Sequence, residues 1–367
     1  MALSPLLQPV SFDALPGWHL DAMAGAFDAF RRSAGHHAIK PYRTGALGIR
    51  SSGFGDAFDA ALAVPRLDEA AARLFFETWF DPYAIRPDDR PTGFVTGFYE
   101  PEADASPVRT DRFRFPILAR PDDLVDVEDD ARPEGLDPYL AFARRRPDGR
   151  IVEYPDRRAI EQGALAGRGL EIAWLEDPVD VFFIHVQGAA RLRMPEGLRR
   201  ITYAAKSGQR FTGPGHVLAA MGEIPRERVT MQSIRAWFRE NPGRVDEILW
   251  QNRSFIFFRD APVADASLGP VAAAKVPLTP RRSIAVDRLL HTFGTPVFVH
   301  APHLAAFGSA PFAHLMIAQD TGSAIVGAAR GDLFAGSGDA AGEIAGVVKH
   351  DADFFALVPR ALSGRTP

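Results

Sequence analysis

Two aspartates lie within QDTGSAIVGAARGDLFAGSG, residues 319–338, among mostly small and apolar side chains. Asp320 opens D-T-G-S, and Asp332 sits in R-G-D-L-F. A third, Asp287, lies in SIAVDRLLHTFGTPVFV. An aspartate beside a turn ordinarily accepts hydrogen bonds from backbone N–H groups, and that role suits one or two of the three. It suits Asp332 least. Gly331, Leu333 and Phe334 give it apolar surroundings, which favour the protonated acid, and a neutral carboxyl group can deliver a proton. Arg330 acts in the opposite sense. In an extended strand it shares a face with Asp332 and lowers its pKa, unless Gly331 breaks the alternation.

Rival chemistries fit less well. An aspartic-protease mechanism needs two carboxylates sharing one proton. No second D-T-G or D-S-G occurs, and one copy would require a homodimer of a chain this long. Gly336-Ser337-Gly338 followed by Gly342 misses the dinucleotide-binding spacing by one position, so a turn with Asp339 capping a short helix is expected. His300 and His303 form an H-x-x-H without a third ligand nearby, so no metal is expected. His185 reads as a packed or cleft-lining histidine. The chain has no cysteine, which excludes disulfides, thiolate metal sites and a cysteine nucleophile.

The elements that must position these residues are mixed. LDAMAGAFDAFRRSA (Leu20 to Ala34) and RLDEAAARLFFETWF (Arg66 to Phe80) space apolar residues at helical intervals. From GFVTGFYEPE onward, short β-like runs are punctuated by Pro, Gly and Asp. DVFFIHVQGAARLRM (Asp180 to Met194) reads as a buried strand leading into a half-exposed one. Helices return in MQSIRAWFRENPGRVDEILWQN, where Asn241 and Pro242 mark a stop and restart. After RSFIFFR the chain is β-like almost to its end. With 367 residues, 46% apolar and 24% charged, this is an ordinary globular chain long enough for two domains. The net charge of -4 gives no reason to expect nucleic acid. The first residues lack the basic start and long apolar centre of a signal peptide, and no apolar run approaches membrane-span length.

Taken together, the chain resembles the membrane-bound lytic murein transglycosylase A family with its C-terminal three-aspartate domain. The segments carrying the resemblance are VTGFYEPE (Val95 to Glu102), FFIHVQGAARL (Phe182 to Leu192), YAAKSGQRF (Tyr203 to Phe211), MQSIRAWF (Met231 to Phe238), QNRSFIFF (Gln251 to Phe258) and VPLTPRRSIAVDR (Val276 to Arg288), in matching order with the opening stretch.

The resemblance implies a mainly β fold with helices. A double-psi β-barrel domain is built from residues 1–101 and 253–367, a second β-barrel domain occupies 102–252, and a groove between them holds a glycan strand. It implies cleavage of the β-1,4 bond between N-acetylmuramic acid and N-acetylglucosamine in peptidoglycan, leaving a 1,6-anhydromuramoyl end, by exo action. Asp332 matches the catalytic aspartate, and Asp287 and Asp320 the supporting pair. Phe98, Tyr99, Gln187, Gly188 and Gly322 are the expected sugar-binding residues. Glu100, beside Pro101, stays outside the mechanism. No cofactor or metal is expected. A monomer is expected, acting on glycan strands in the periplasm, with outer-membrane association and cell-wall synthesis or division complexes as further expectations. Many members are anchored through an N-terminal cysteine, which this chain lacks. The alternative from another class is a peptidoglycan-binding protein without turnover.

Overall fold

Backbone contacts divide this computed structural model into a first unit, Met1–Tyr99 with Asp265–Pro367, and a second, Glu100–Ala264. The structure describes residues 2–87, 91–128, 130, 132–262, 264–308 and 311–364.

In the first unit, six strands pair in a ring. The order is Lys349–Pro359, Pro296–Ala301, Phe312–Asp320, Ser283–Val286, Arg330–Ser337 and Gly93–Glu100, and the first residues of Lys349–Pro359 pair back onto Gly93–Glu100. Phe80–Ile85 and Leu7–Pro9 extend the sheet outside the ring. Closure leaves these six strands few unpaired edges, and Ile284, Val286, Phe298, Ile317 and Leu333 along them are fully buried.

The N-terminal helices cover part of this sheet. Helix Glu69–Trp79 starts at Asp68, whose side chain accepts from Ala71 N at 2.8 Å, as an N-cap should. The helix Ala24–Ile39 places Phe27 and Phe30 against Phe58, Phe75, Phe76 and Phe80. Just before it, Asp21 is fully buried and accepts from both Arg282 guanidinium nitrogens, at 2.9 and 2.8 Å, and from Leu315 N at 2.7 Å, with His314 Nδ1 also at 2.7 Å. Burial alone would raise its pKa, but the His314 and Arg282 hydrogen bonds and the Arg282 charge outweigh it and hold it at about 2.

The second unit holds three sheets and a helical cluster. The strands Ile256–Ala261, Gly197–Lys206, Ala189–Met194 and Glu102–Asp104 form one sheet, Phe115–Leu118 with Glu171–Leu175 another, and Leu124–Asp126, Phe142–Arg145 and Ile151–Val152 the third. Bridges at Ser106–Trp174 and Ala119–Phe258 tie the first two. The helices Pro178–Gln187, Pro214–Ala220, Met231–Glu240 and Val245–Leu249 share a core containing Phe182, Leu218, Trp237 and Leu249.

Three expectations need correction. Asp180 to Gln187 is a helix, not a strand: Asp177 caps Val179 N at 2.8 Å, Pro178 occupies the first turn, and Gly188 ends it at φ 74°. The return to the first unit comes after Ala264 and not at residue 253, because Ile256–Ala261 pairs with Gly197–Lys206. Asp339 is the first residue of its helix, and Gly338 occupies the cap.

Candidate active site

Two of the three aspartates, Asp320 and Asp332, sit on one row of the ring sheet. Ala285 is the register partner of Asp320 on one side and of Asp332 on the other. Directly paired residues point to the same face of a sheet, so both carboxylates flank the Ala285 methyl group. Neighbouring strands lie about 4.8 Å apart, which puts the two backbones about 10 Å from one another. Such a row differs from a dyad of touching carboxylates.

On its other side, Asp332 meets the strand Gly93–Glu100. Three contacts run in step along the two strands. The Arg330 guanidinium lies 5.5 Å from the Phe94 ring centre, Thr96 Oγ1 donates to Asp332 Oδ1 at 2.5 Å, and the Phe98 and Phe334 rings are 5.2 Å apart. The period-2 alternation of a strand therefore holds through Gly331, and Arg330 shares the face of Asp332. Arg330 Nη2 donates to Thr96 Oγ1 at 2.7 Å, and Nη1 donates to the Gly331 carbonyl. Burial raises the Asp332 pKa, opposed by the Thr96 hydrogen bond and the Arg330 charge, and burial wins. Arg330 thus has the expected sign without deciding the outcome.

The two other aspartates hold backbone. Asp287 accepts from Leu289 N at 2.9 Å and from Gly327 N at 3.0 Å, tying the turn after its strand to the 321–329 loop. Asp320 accepts from Ala273 N at 3.2 Å. Burial pushes its pKa up to about 6, against the Thr321 and Ala273 N–H groups, and the charge of Asp332 adds to the rise.

The remaining candidates are distributed as follows. Phe98 is half-buried beside Asp332's strand, and Gly322 lies exposed in the 321–329 loop, its carbonyl accepting from Ile325 N at 3.0 Å. Tyr99 is buried, so close to Gly342 that a β-carbon there would lie 2.8 Å from its ring. That placement makes Tyr99 a packing residue of the first unit. Gln187 and Gly188, both partly exposed, end a helix of the second unit. Glu100 is fully buried between Arg191, at 2.8 Å, and Arg200, at 2.6 Å. His185 is buried in the second unit's core with Nδ1 2.9 Å from Arg157, and burial and the Arg157 charge hold its pKa well below the usual value. His300 pairs with Asp353 at 3.3 Å. Among the described residues no group of three or more His, Cys, Asp or Glu side chains could hold a metal ion.

Thr96 escaped sequence reasoning. Its neighbour on the adjacent strand depends on register between segments more than 230 residues apart in sequence, which one sequence does not encode legibly. The alternation of Phe94, Thr96 and Phe98 was the available signal.

Residues 94–259 match the family described as the MltA specific insert domain, and residues 282–358 match the 3D domain. A crystal structure of a membrane-bound lytic murein transglycosylase from Agrobacterium tumefaciens superposes with a TM-score of 0.91 at 50% identity, covering 98% of this chain and 99% of that one. A structure of Escherichia coli MltA with bound chitohexaose matches with a TM-score of 0.69 at 25% identity, over 98% of this chain and 96% of that one. The membrane-bound lytic murein transglycosylase A of Vibrio cholerae is 36% identical over 202 residues, 53% of this chain and 54% of that protein. The match therefore spans about half the length of this curated relative.

Proposed function

We propose a function from one premise: the chain belongs to the membrane-bound lytic murein transglycosylase A family, as the 50% identity over nearly the whole of a solved member shows. The protein is a lytic transglycosylase that cleaves the β-1,4 bond between N-acetylmuramic acid and N-acetylglucosamine in peptidoglycan and leaves 1,6-anhydromuramoyl ends. Release from glycan ends, the exo mode, is part of this reading.

Asp332 acts as the only acid/base group. Ordinary glycosidases use two carboxyl groups, the second serving as nucleophile or activating a water. Here the substrate's own C6 hydroxyl is the nucleophile, so one carboxyl group serves twice. Protonated Asp332 gives its proton to the glycosidic oxygen as the C1–O bond breaks. The resulting carboxylate takes the proton of the C6 hydroxyl as that oxygen bonds to C1. Protons balance, and Asp332 ends as it began. The observation that carries this role is its half-buried place against Thr96, with Phe94, Phe98 and Phe334 along the same two strands, where the loss of solvent raises its pKa and favours the acid form. Asp287 and Asp320 hold the neighbouring turns. Phe98, Gln187, Gly188 and Gly322 offer ring, amide and backbone surfaces to acetylated sugars, and Tyr99 supports the Gly93–Glu100 strand from behind.

The double-psi description of the ring of strands belongs to the same reading, as does a periplasmic location in which the protein works as a monomer on glycan strands. Relatives are named as membrane-bound; among the described residues no helix of this chain is long and apolar enough to cross a membrane.

Mass spectrometry of soluble products from purified murein sacculi tests the proposal. Anhydro-muropeptides are expected. Reducing-end products would mean hydrolysis by water, and binding without release would mean a protein that holds peptidoglycan and does not cut it.

A further inference from the structure

The polar chain around Asp332 has a direction. A guanidinium can only donate, so Arg330 Nη2, 2.7 Å from Thr96 Oγ1, places a hydrogen on that oxygen's lone pairs. The single hydroxyl hydrogen of Thr96 is then aimed at Asp332 Oδ1, 2.5 Å away. An Oδ1 that receives a hydrogen bond is held as an acceptor. Placing the acid proton on Oδ1 would crowd two hydrogens between Oγ1 and Oδ1, or force the hydroxyl hydrogen to give up a hydrogen bond.

We propose that Arg330, acting through Thr96, fixes the transferable proton of Asp332 on Oδ2, so that one named oxygen both delivers the proton and recovers it. The inference rests on the acid/base role of Asp332 proposed above. Thr96 and Arg330 are positioning residues here. Of the charged residues on the neighbouring strands, Asp320 lies beyond Ala285 and Lys349 is the exposed register partner of Thr96. Neither donates to Oδ1, so the direction is set by the Arg330–Thr96 pair. This also gives the Gly93–Glu100 strand a chemical duty beyond packing.

Kinetics of Thr96→Val on murein, with kcat, KM and the pH profile measured separately, tests the inference. Valine keeps the shape and removes the hydroxyl. General acid–base terms are worth about 10²–10⁴-fold, and losing control of the proton's position is expected to lower kcat by about tenfold or more, with KM little changed. Removing a hydrogen bond that favours the charged carboxylate also raises its pKa, so the alkaline limb of the profile should move up by about one pH unit. Thr96→Ser restores the donor and should recover most of kcat and the original limb. Arg330→Met, which removes the donor to Thr96, should lower kcat in the same way, and carries the test alone if the valine variant does not fold. A Thr96→Val or Arg330→Met enzyme with wild-type kcat and an unmoved limb, beside an inactive Asp332→Asn, overturns this inference alone. An active Asp332→Asn would instead overturn the role of Asp332 itself.

Discussion

Asp320 and Asp332 are both register partners of Ala285, one on each side, so two carboxyl groups face the same side of the sheet with one methyl group between them. Burial raises both pKa values, and the negative charge of Asp332 adds to the rise at Asp320.

Replacing Asp320 by Asn removes one of those charges. The Asp332 carboxylate then becomes easier to form, and the alkaline limb of kcat/KM should move to lower pH, by up to about one unit. This is opposite in sign to the shift expected for Thr96→Val. Stability carries a second signature. Asp320, at about 6 in the folded protein against an ordinary 3.8, binds its proton more tightly folded than unfolded. The wild type should lose stability as pH rises from about 4 to about 6, by roughly 1–3 kcal/mol, and Asp320→Asn should lack that slope. Urea unfolding at a series of pH values reads both.

Asp21 behaves in the opposite way. Its pKa is lowered from 3.8 to about 2, so its contribution is present above the ordinary carboxylate pKa and is lost as pH falls towards 2. The shift corresponds to about 2.5 kcal/mol at about 1.36 kcal/mol per unit. Asp21→Asn should cost at least that at pH 7, because it leaves Arg282 buried beside a neutral amide, and breaking such a buried pair typically costs about 3–5 kcal/mol. Thermal unfolding at pH 7 and pH 3 checks it: the gap between variant and wild type should narrow at the lower pH.

Much of this arrangement was legible in the residues themselves. The apolar company of Asp332 and the turn-holding character of Asp287 and Asp320 come from immediate neighbours, which a sequence displays. What a sequence hides is partnership across strands: neither Ala285 between two aspartates nor Thr96 beside Asp332 has a local signal. The run Val181-Phe182-Phe183-Ile184 shows a third kind of difficulty. Four consecutive apolar residues suit a buried strand and a buried helix equally, and only the flanking Asp177, Pro178 and Gly188 decide for the helix. The second unit's last strand was cut away for a related reason, since its pairing with Gly197–Lys206 spans about fifty residues.

Glu100 offers a check on what is structural and what is chemical. It is fully buried, bridging Arg191 and Arg200, which are themselves register partners. Glu100→Gln would leave two buried guanidinium groups facing an amide and should destabilise the protein by about 3–5 kcal/mol. Activity per folded molecule should persist at a temperature where the variant remains folded. Denaturant unfolding paired with murein turnover at low temperature separates the two effects.

The most direct test of the account is turnover of murein by Asp332→Asn. The amide keeps nearly the same shape as the neutral acid and can still accept from Thr96, but it can neither deliver a proton nor take one back. With one residue serving both steps, release of anhydro-muropeptides should fall by about 10⁴-fold, the upper end of general acid–base contributions, while binding to sacculi is retained. Release above about a tenth of the wild-type rate, too small a loss for a lone acid/base group, would contradict the account and shift attention to Asp320.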